Sequence, residues 1–159
     1  MKKLEEACVL SEKLGTLYQR CELFIALATV CLDLGQRQNA MRYVKAGLDL
    51  ANKNSCRLLA TRAAFVLGMT ADEPLDRQHF LSDAFHQASE MGLQELVAES
   101  AYHLGIHHLE SGNTITAREY LIRSSTLTAR LSQGVALTAK SKYLAKQWRR
   151  GALSALERC

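Results

Sequence analysis

Three histidines, His103, His107 and His108, crowd into one short stretch, with Glu99 and Glu110 on either side. His103 and His107 are four apart and would share one face of a helix, an arrangement that can hold zinc. The stretch reads HLGIH, however, and lacks the Glu that follows the first His in zinc peptidases. Packing or solvent-facing histidines are therefore expected, and no metal. His79 and His86, seven apart, carry less information still. Cys31 and Cys56 could act as nucleophiles only beside a base that lowered the thiol pKa, and nothing local supplies one. No phosphate loop, dinucleotide fingerprint or nucleophile elbow is present. The expectation is a chain that is not an enzyme and needs no cofactor. An enzyme would require an unforeseen pocket of convergent ionisable groups.

The segments that position these residues read as helices. Residues 98–130 form two amphipathic stretches joined by a polar turn over 110–116. Ala101, Leu104, Gly105 and His108 share one stripe; Ala117, Tyr120, Leu121 and Ser124 share another. Small residues at Gly105 and Ala117 would let the two backbones approach closely. Gly112 supplies the turn, and Asn113 and Thr114 are candidates to cap the second helix.

The same pattern occurs 77 positions earlier. Leu27, Ala28, Gly35, Ala40, Tyr43 and Val44 match Leu104, Gly105, Gly112, Ala117, Tyr120 and Leu121. That displacement suits two helical hairpins, and the unit between them is visible. Leu67 and Gly68 stand for Leu104 and Gly105, and Ala84 for Leu121. A fourth first-helix is expected over residues 135–150, with Leu144 and Ala145 at its crossing and an interruption at Gly151. The small residues Ala28, Gly68, Gly105 and Ala145 are thus spaced by 40, 37 and 40. Recurrence at such a period marks a helical repeat array. The other expected helices cover residues 3–14 (stopped by Gly15), 17–34, 39–51, 56–69 and 77–91, with a loop over 70–76.

These residues resemble the tetratricopeptide repeat family. Leu27-Ala28, Gly35, Ala40, Val44 and Gly47 follow its motif, as do Leu104-Gly105, Gly112, Ala117, Leu121 and Ser124. The chain departs from the family in a period longer than 34 and in lacking the closing Pro. Phe24, Cys31, Ala101 and His108 also stand at the usual Trp and Tyr positions. The longer period is similar to the subclass found in cell-polarity scaffolds, the anaphase-promoting complex and bacterial peptide-sensing regulators. The resemblance implies an all-α, right-handed superhelix (solenoid) of antiparallel helical hairpins, with residues 1–159 as a single repeat domain.

Composition agrees with this class. Hydrophobic residues make up 48% and charged residues 23%, with one proline and nine glycines, which suits a helical globular chain. No apolar run reaches the length of a membrane span. The opening MKKLEEACVL reads as a helix rather than a secretory signal, because Glu5 and Glu6 follow the lysines at once. Five cysteines, with no CxxC, are expected to be reduced packing residues, implying a cytoplasmic or other intracellular compartment, the nucleus included. The array begins and ends mid-repeat, with Leu4, Ala7 and Leu10 at one end and Leu153 and Leu156 at the other. Such ends suit either self-association or a segment of a longer array.

Charge is uneven. Residues 1–119 carry a net −3 and residues 120–159 a net +7, with Glu157 the one acid in the latter. The basic end could be a solvated helix end or a docking point for an acidic protein surface. Nucleic acid is disfavoured, because only Tyr143 and Trp148 are interleaved with the bases.

In the family, first helices line a concave groove. Carried onto this chain, the groove positions are Glu22, Ile25, Thr29 and Asp33, then Arg62, Phe65 and Met69. Glu99, Tyr102 and Ile106 come next, and Lys142, Lys146, Arg149 and Arg150 last. The set offers an apolar floor, acids early and bases late, which suits an extended or helical peptide. It lacks the Lys and Asn set by which chaperone-binding relatives hold a terminal carboxylate. The expected function is non-catalytic protein–protein interaction, as a scaffold or assembly subunit. The alternative is a ligand- or peptide-sensing arm of a larger transcriptional or signalling regulator.

Overall fold

The computed structural model describes Glu6, Leu10 and residues 16–159. Among them are eight helices and no strand. They are α1 (Leu17–Asp33), α2 (Arg37–Lys53), α3 (Arg57–Thr70), α4 (Pro74–Glu90), α5 (Gln94–Glu110), α6 (Thr114–Gln133), α7 (Leu137–Leu144) and α8 (Gln147–Leu156). The helix expected over residues 3–14, its stop at Gly15, and Cys8 lie outside the described residues, except that Glu6 and Leu10 have helical backbone. Among the described residues no helix is long and apolar enough to cross a membrane.

The helices begin and end where local chemistry dictates. Thr16 opens α1 with a capping box, its hydroxyl accepting from the Gln19 N–H while Gln19 accepts from the Thr16 N–H. Pro74 starts α4 three residues before the expected Arg77, because the first helical turn needs no N–H from that position. Asn113 caps α6 through Thr116 N–H. Four of the links share one turn. In the link after α5, the Gly112 N–H donates to Leu109 O (3.1 Å) and the Asn113 N–H to His108 O (2.8 Å). Gly35, Ser55 and Gly92 hold the matching place in the other three, each with positive φ. Ser55, at φ 51°, takes this conformation without glycine's freedom.

The described residues form two compact units that divide within α4, between Asp83 and Ala84. In the first, α1 and α2 form a hairpin whose contact buries Leu27, Ala28, Cys31, Ala40 and Val44 completely. Helix α3 then lies mainly against α2 and more lightly against α1. Leu59, Ala63, Val66 and Leu67 of α3 join Cys21 and Ile25 in one core. Each fully buried leucine contributes on the order of 1.5–3 kcal/mol.

The second unit repeats this plan. Helices α5 and α6 form the hairpin, burying Leu104, Ala117 and Leu121, and α8 lies mainly against α6 and more lightly against α5. One buried contact shows the two hairpins to be the same device. In the first, the Cys21 thiol donates to Gly47 O at 3.1 Å; in the second, the Ser124 hydroxyl donates to Ala98 O at 2.7 Å. Positions 21 and 47 become 98 and 124 on adding 77, and the donor has simply moved to the other helix.

Two expected registers need correction. Gly68 faces Leu81, not Ala84: a Cβ there would stand 2.8 Å from Leu81 Cγ. Helix α3 has 14 residues where α1 and α5 have 17, so the facing leucine arrives three positions sooner. The fourth first-helix is also misplaced in the sequence reading. The chain breaks at Ala145 and Lys146, and Gly151 lies inside α8. Ala145 is exposed, whereas Gly151 is the residue at the crossing, pressed against Tyr102. A glycine in mid-helix reads as a breaker until a close partner explains it. Helix α7 buries no residue.

Candidate functional site

In the first unit the candidate positions lie on α1 and α3. Glu22 and Arg62 bridge the two helices at 3.6 Å, with about half of each side chain exposed. Solvent competition leaves such a pair worth little as a clamp. Phe65 and Met69 are half-buried, Phe65 packing at the margin of the core, while Thr29 and Asp33 are exposed. The Thr29 hydroxyl donates to Ile25 O, one turn back on its own helix. Ile25 is not part of a groove floor. It is 6% exposed and belongs to the core under α3.

Tyr18 was missed from the sequence. It sits 45% exposed beside Glu22, whose carboxylate, with some burial, raises the phenol above its ordinary pKa. Tyr18, Glu22, Ile25 and Thr29 are spaced four, three and four, one stripe of α1, and that spacing was the available signal. Tyr18 thus lies beside the Glu22–Arg62 pair, and Phe65 and Met69 follow Arg62 along α3 at spacings of three and four.

In the second unit the expected floor is covered by the chain itself. Tyr102 and Ile106 pack against the cluster of Leu121 from α6 with Ala152 and Ala155 from α8. Tyr102 stands 77 positions after Ile25, and each packs under a later helix of its own unit, Ile25 under α3 and Tyr102 under α8. Glu99, half-buried, has its pKa raised by desolvation, opposed by the nearby Lys146 ammonium. Lys142, Lys146 and Arg150 are exposed; Arg150 donates to Ala145 O at 2.9 Å, closing the end of α7.

Arg149 departs from the expected basic face. It is 7% exposed, ion-paired with Glu95, hydrogen-bonded to Tyr143 O, and lies over the Tyr143 and Trp148 rings. Helix α8 begins only at Gln147, which rotates Arg149 inward relative to a helix running continuously from residue 135. The sequence-predicted basic patch therefore comprises Lys142, Lys146 and Arg150 without Arg149.

The histidines are held by packing. His108 stacks on Tyr120 with centroids 5.7 Å apart, and Phe85 meets Tyr120 edge-on at 5.5 Å. His107 is buried, and His103 lies edge-on to Tyr102. Among the described residues no group of three or more His, Cys, Asp or Glu is placed to hold a metal ion. Cys21, Cys31, Cys56 and Cys159 are in no disulfide, and burial pushes the Cys21 thiol up to about 11, away from thiolate chemistry.

Burial pushes His103 down to about 4 from 6.5. Above pH ~6.5 the imidazole is neutral in folded and unfolded chains, and its contribution to stability is intact. As pH falls towards about 4, the unfolded chain gains a proton that the folded one refuses, so stability is lost. Burial shifts His108 in the same direction, while the raised Glu99 works the opposite way. The melting temperature of His103→Gln should therefore fall less steeply than that of the parent between pH 7 and 4.5. Parallel curves would remove His103 as a source of acid sensitivity.

No known family profile matches the chain, and no curated protein sequence matches it.

Proposed function

We propose that the chain is a tetratricopeptide-like repeat domain, a right-handed superhelix of hairpins, that binds a protein partner and catalyses nothing. The recurrence of the Cys21–Gly47 contact as Ala98–Ser124 supports the repeat reading. The observation that carries the binding reading is the α1–α3 face of the first unit. There Tyr18, Phe65 and Met69 remain partly exposed beside the Glu22–Arg62 pair. Aromatic and thioether side chains supply contact area, and the flanking charges orient a peptide or helix lying across them. An intracellular, reducing compartment suits the free thiols.

The test is quantitative binding of a partner first captured by the immobilised chain, then purified. The Tyr18→Ala/Phe65→Ala double variant should bind at least ~10-fold more weakly, as expected when two aromatic anchors are truncated. Phe65 packs at the core margin, so melting should fall somewhat in the double variant, and binding is compared well below both transitions. Tyr18→Ala alone leaves that packing intact and should weaken binding in the same direction. Retained affinity in that variant, with loss in Lys142→Glu/Lys146→Glu, would move the site to the basic end and overturn the assignment to the α1–α3 face.

A further inference from the structure

A second kind of site lies elsewhere, where the end of α4 meets α5 and α6. A pocket of about 320 Å³ opens there, lined by Ser89, Gln94, Val97, Arg123, Thr126, Leu127 and Arg130. Its volume is at the small end of ligand sites. No acid lines it. Arg123 and Arg130 are seven apart on α6, so both guanidiniums flank the same strip of surface, with Thr126 and Leu127 between them. Neither is ion-paired among the described residues. Arg123 lies over the Phe85 ring at 4.7 Å, and Arg130 donates to the Gln94 side-chain oxygen.

That last bond orients the Gln94 amide: its oxygen faces Arg130, which leaves its NH₂ as a further donor. Gln94 is also the first residue of α5, whose N-cap, Leu93, offers no side-chain acceptor to the opening amides. The lining is rich in donors and carries two guanidiniums. Val97 and Leu127 give it an apolar side. The repeat does not impose this arrangement, because 77 residues earlier Ala46 and Asp49 stand where Arg123 and Thr126 stand.

We propose that this pocket binds a phosphate monoester. The dianion meets Arg123 and Arg130, the Gln94 amide donates to it, and the carbon group beside the phosphate rests on Val97 and Leu127. Guanidiniums pair bidentately with carboxylates and phosphates alike, so the preference comes from charge. With two guanidiniums in the lining, a dianion with three terminal oxygens engages both, whereas a single-charged carboxylate satisfies one. The site uses none of the α1–α3 face and stands apart from the protein-binding reading.

The experiment is an amide-resolved NMR titration of the full chain with phenyl phosphate, benzoate and a short phosphoserine peptide. Phenyl phosphate should saturate with shifts centred on Gln94, Val97 and Thr126, and bind at least ~10-fold more tightly than benzoate. Binding should weaken on going from pH ~7.5 to ~5, as the phosphate with its second pKa near ~6 loses its second charge. Arg123→Gln and Arg130→Gln should each weaken it ~10-fold or more, while Arg118→Gln, an exposed arginine of α6 outside the pocket, should not. Tighter binding of the phosphopeptide than of phenyl phosphate would identify the source as a protein, and the reverse a small metabolite. Either supports the site. Absence of saturation with both phosphates, benzoate binding as tightly, or unchanged affinity in the Arg123→Gln/Arg130→Gln chain would overturn it.

Discussion

Gly105→Ala should destabilise the fold by about 1–3 kcal/mol, the usual range for overpacking a close-packed contact. A Cβ at Gly105 would lie 2.6 Å from Leu121 Cγ, 2.8 Å from Leu121 Cδ2 and 3.3 Å from Ala117 O. Leu121 is fully buried and Ala117 O is backbone, so neither can step aside cheaply. The mechanism is separable from helix propensity, which would favour alanine over glycine by up to ~1 kcal/mol. Gly134→Ala is the control. There the nearest atom, Leu131 O, is 3.6 Å away and φ is an ordinary −79°, so little change is expected. Leu121→Ala alone should cost about 2–5 kcal/mol by leaving a cavity. Combined with Gly105→Ala it should cost less than the sum, because the added methyl enters the vacated space. Strict additivity in chemical denaturation would show that Gly105 and Leu121 do not share this contact.

Glu95→Gln should loosen the end of the second unit by about 1–2 kcal/mol, below the ~3–5 kcal/mol of a fully enclosed pair because Glu95 remains half in solvent. The loss arises from the Arg149 guanidinium, 5% exposed in its side chain, which would keep its burial and lose its counter-charge. Arg149→Met on the Glu95→Gln background should therefore recover part of the stability, since it removes the buried charge while keeping much of the side chain's bulk. Trp148, the chain's only tryptophan, is buried next to Arg149 in α8 and reports on this region by fluorescence. In Glu95→Gln the tryptophan transition should precede the loss of helical circular dichroism. Coincident transitions, with Arg149→Met giving no recovery, would show that the pair does not hold α8 in place.

Helical position picks out Glu22, Arg62, Phe65 and Met69; in the structure Glu22 pairs with Arg62, Tyr18 lies beside Glu22, and Phe65 and Met69 are half-buried on α3. Ile25, Tyr102 and Arg149 were read as groove residues and instead serve packing. Spacing places a residue on a helix face, but a neighbour from a distant segment decides whether that face meets solvent. The pocket between Arg123 and Arg130 gave no sequence signal, since Ser89, Gln94 and Val97 reach it only through the meeting of three helices.

The sequence by itself determined the helical class, the 77-residue recurrence and the turns at Gly35, Gly92 and Gly112. These rest on local physics: apolar period, capping, and glycine's access to positive φ. It also marked Gly105 as a close-contact residue, because a small side chain on an apolar stripe leaves room for another backbone. Only the tertiary structure decided that Leu81 rather than Ala84 fills the notch at Gly68, and that Gly151 rather than Ala145 meets the preceding hairpin. In both places the helix is shorter than its repeat counterpart or broken earlier. A small change in helix length rotates every following side chain, and which rotation survives is settled by the partners it must pack against.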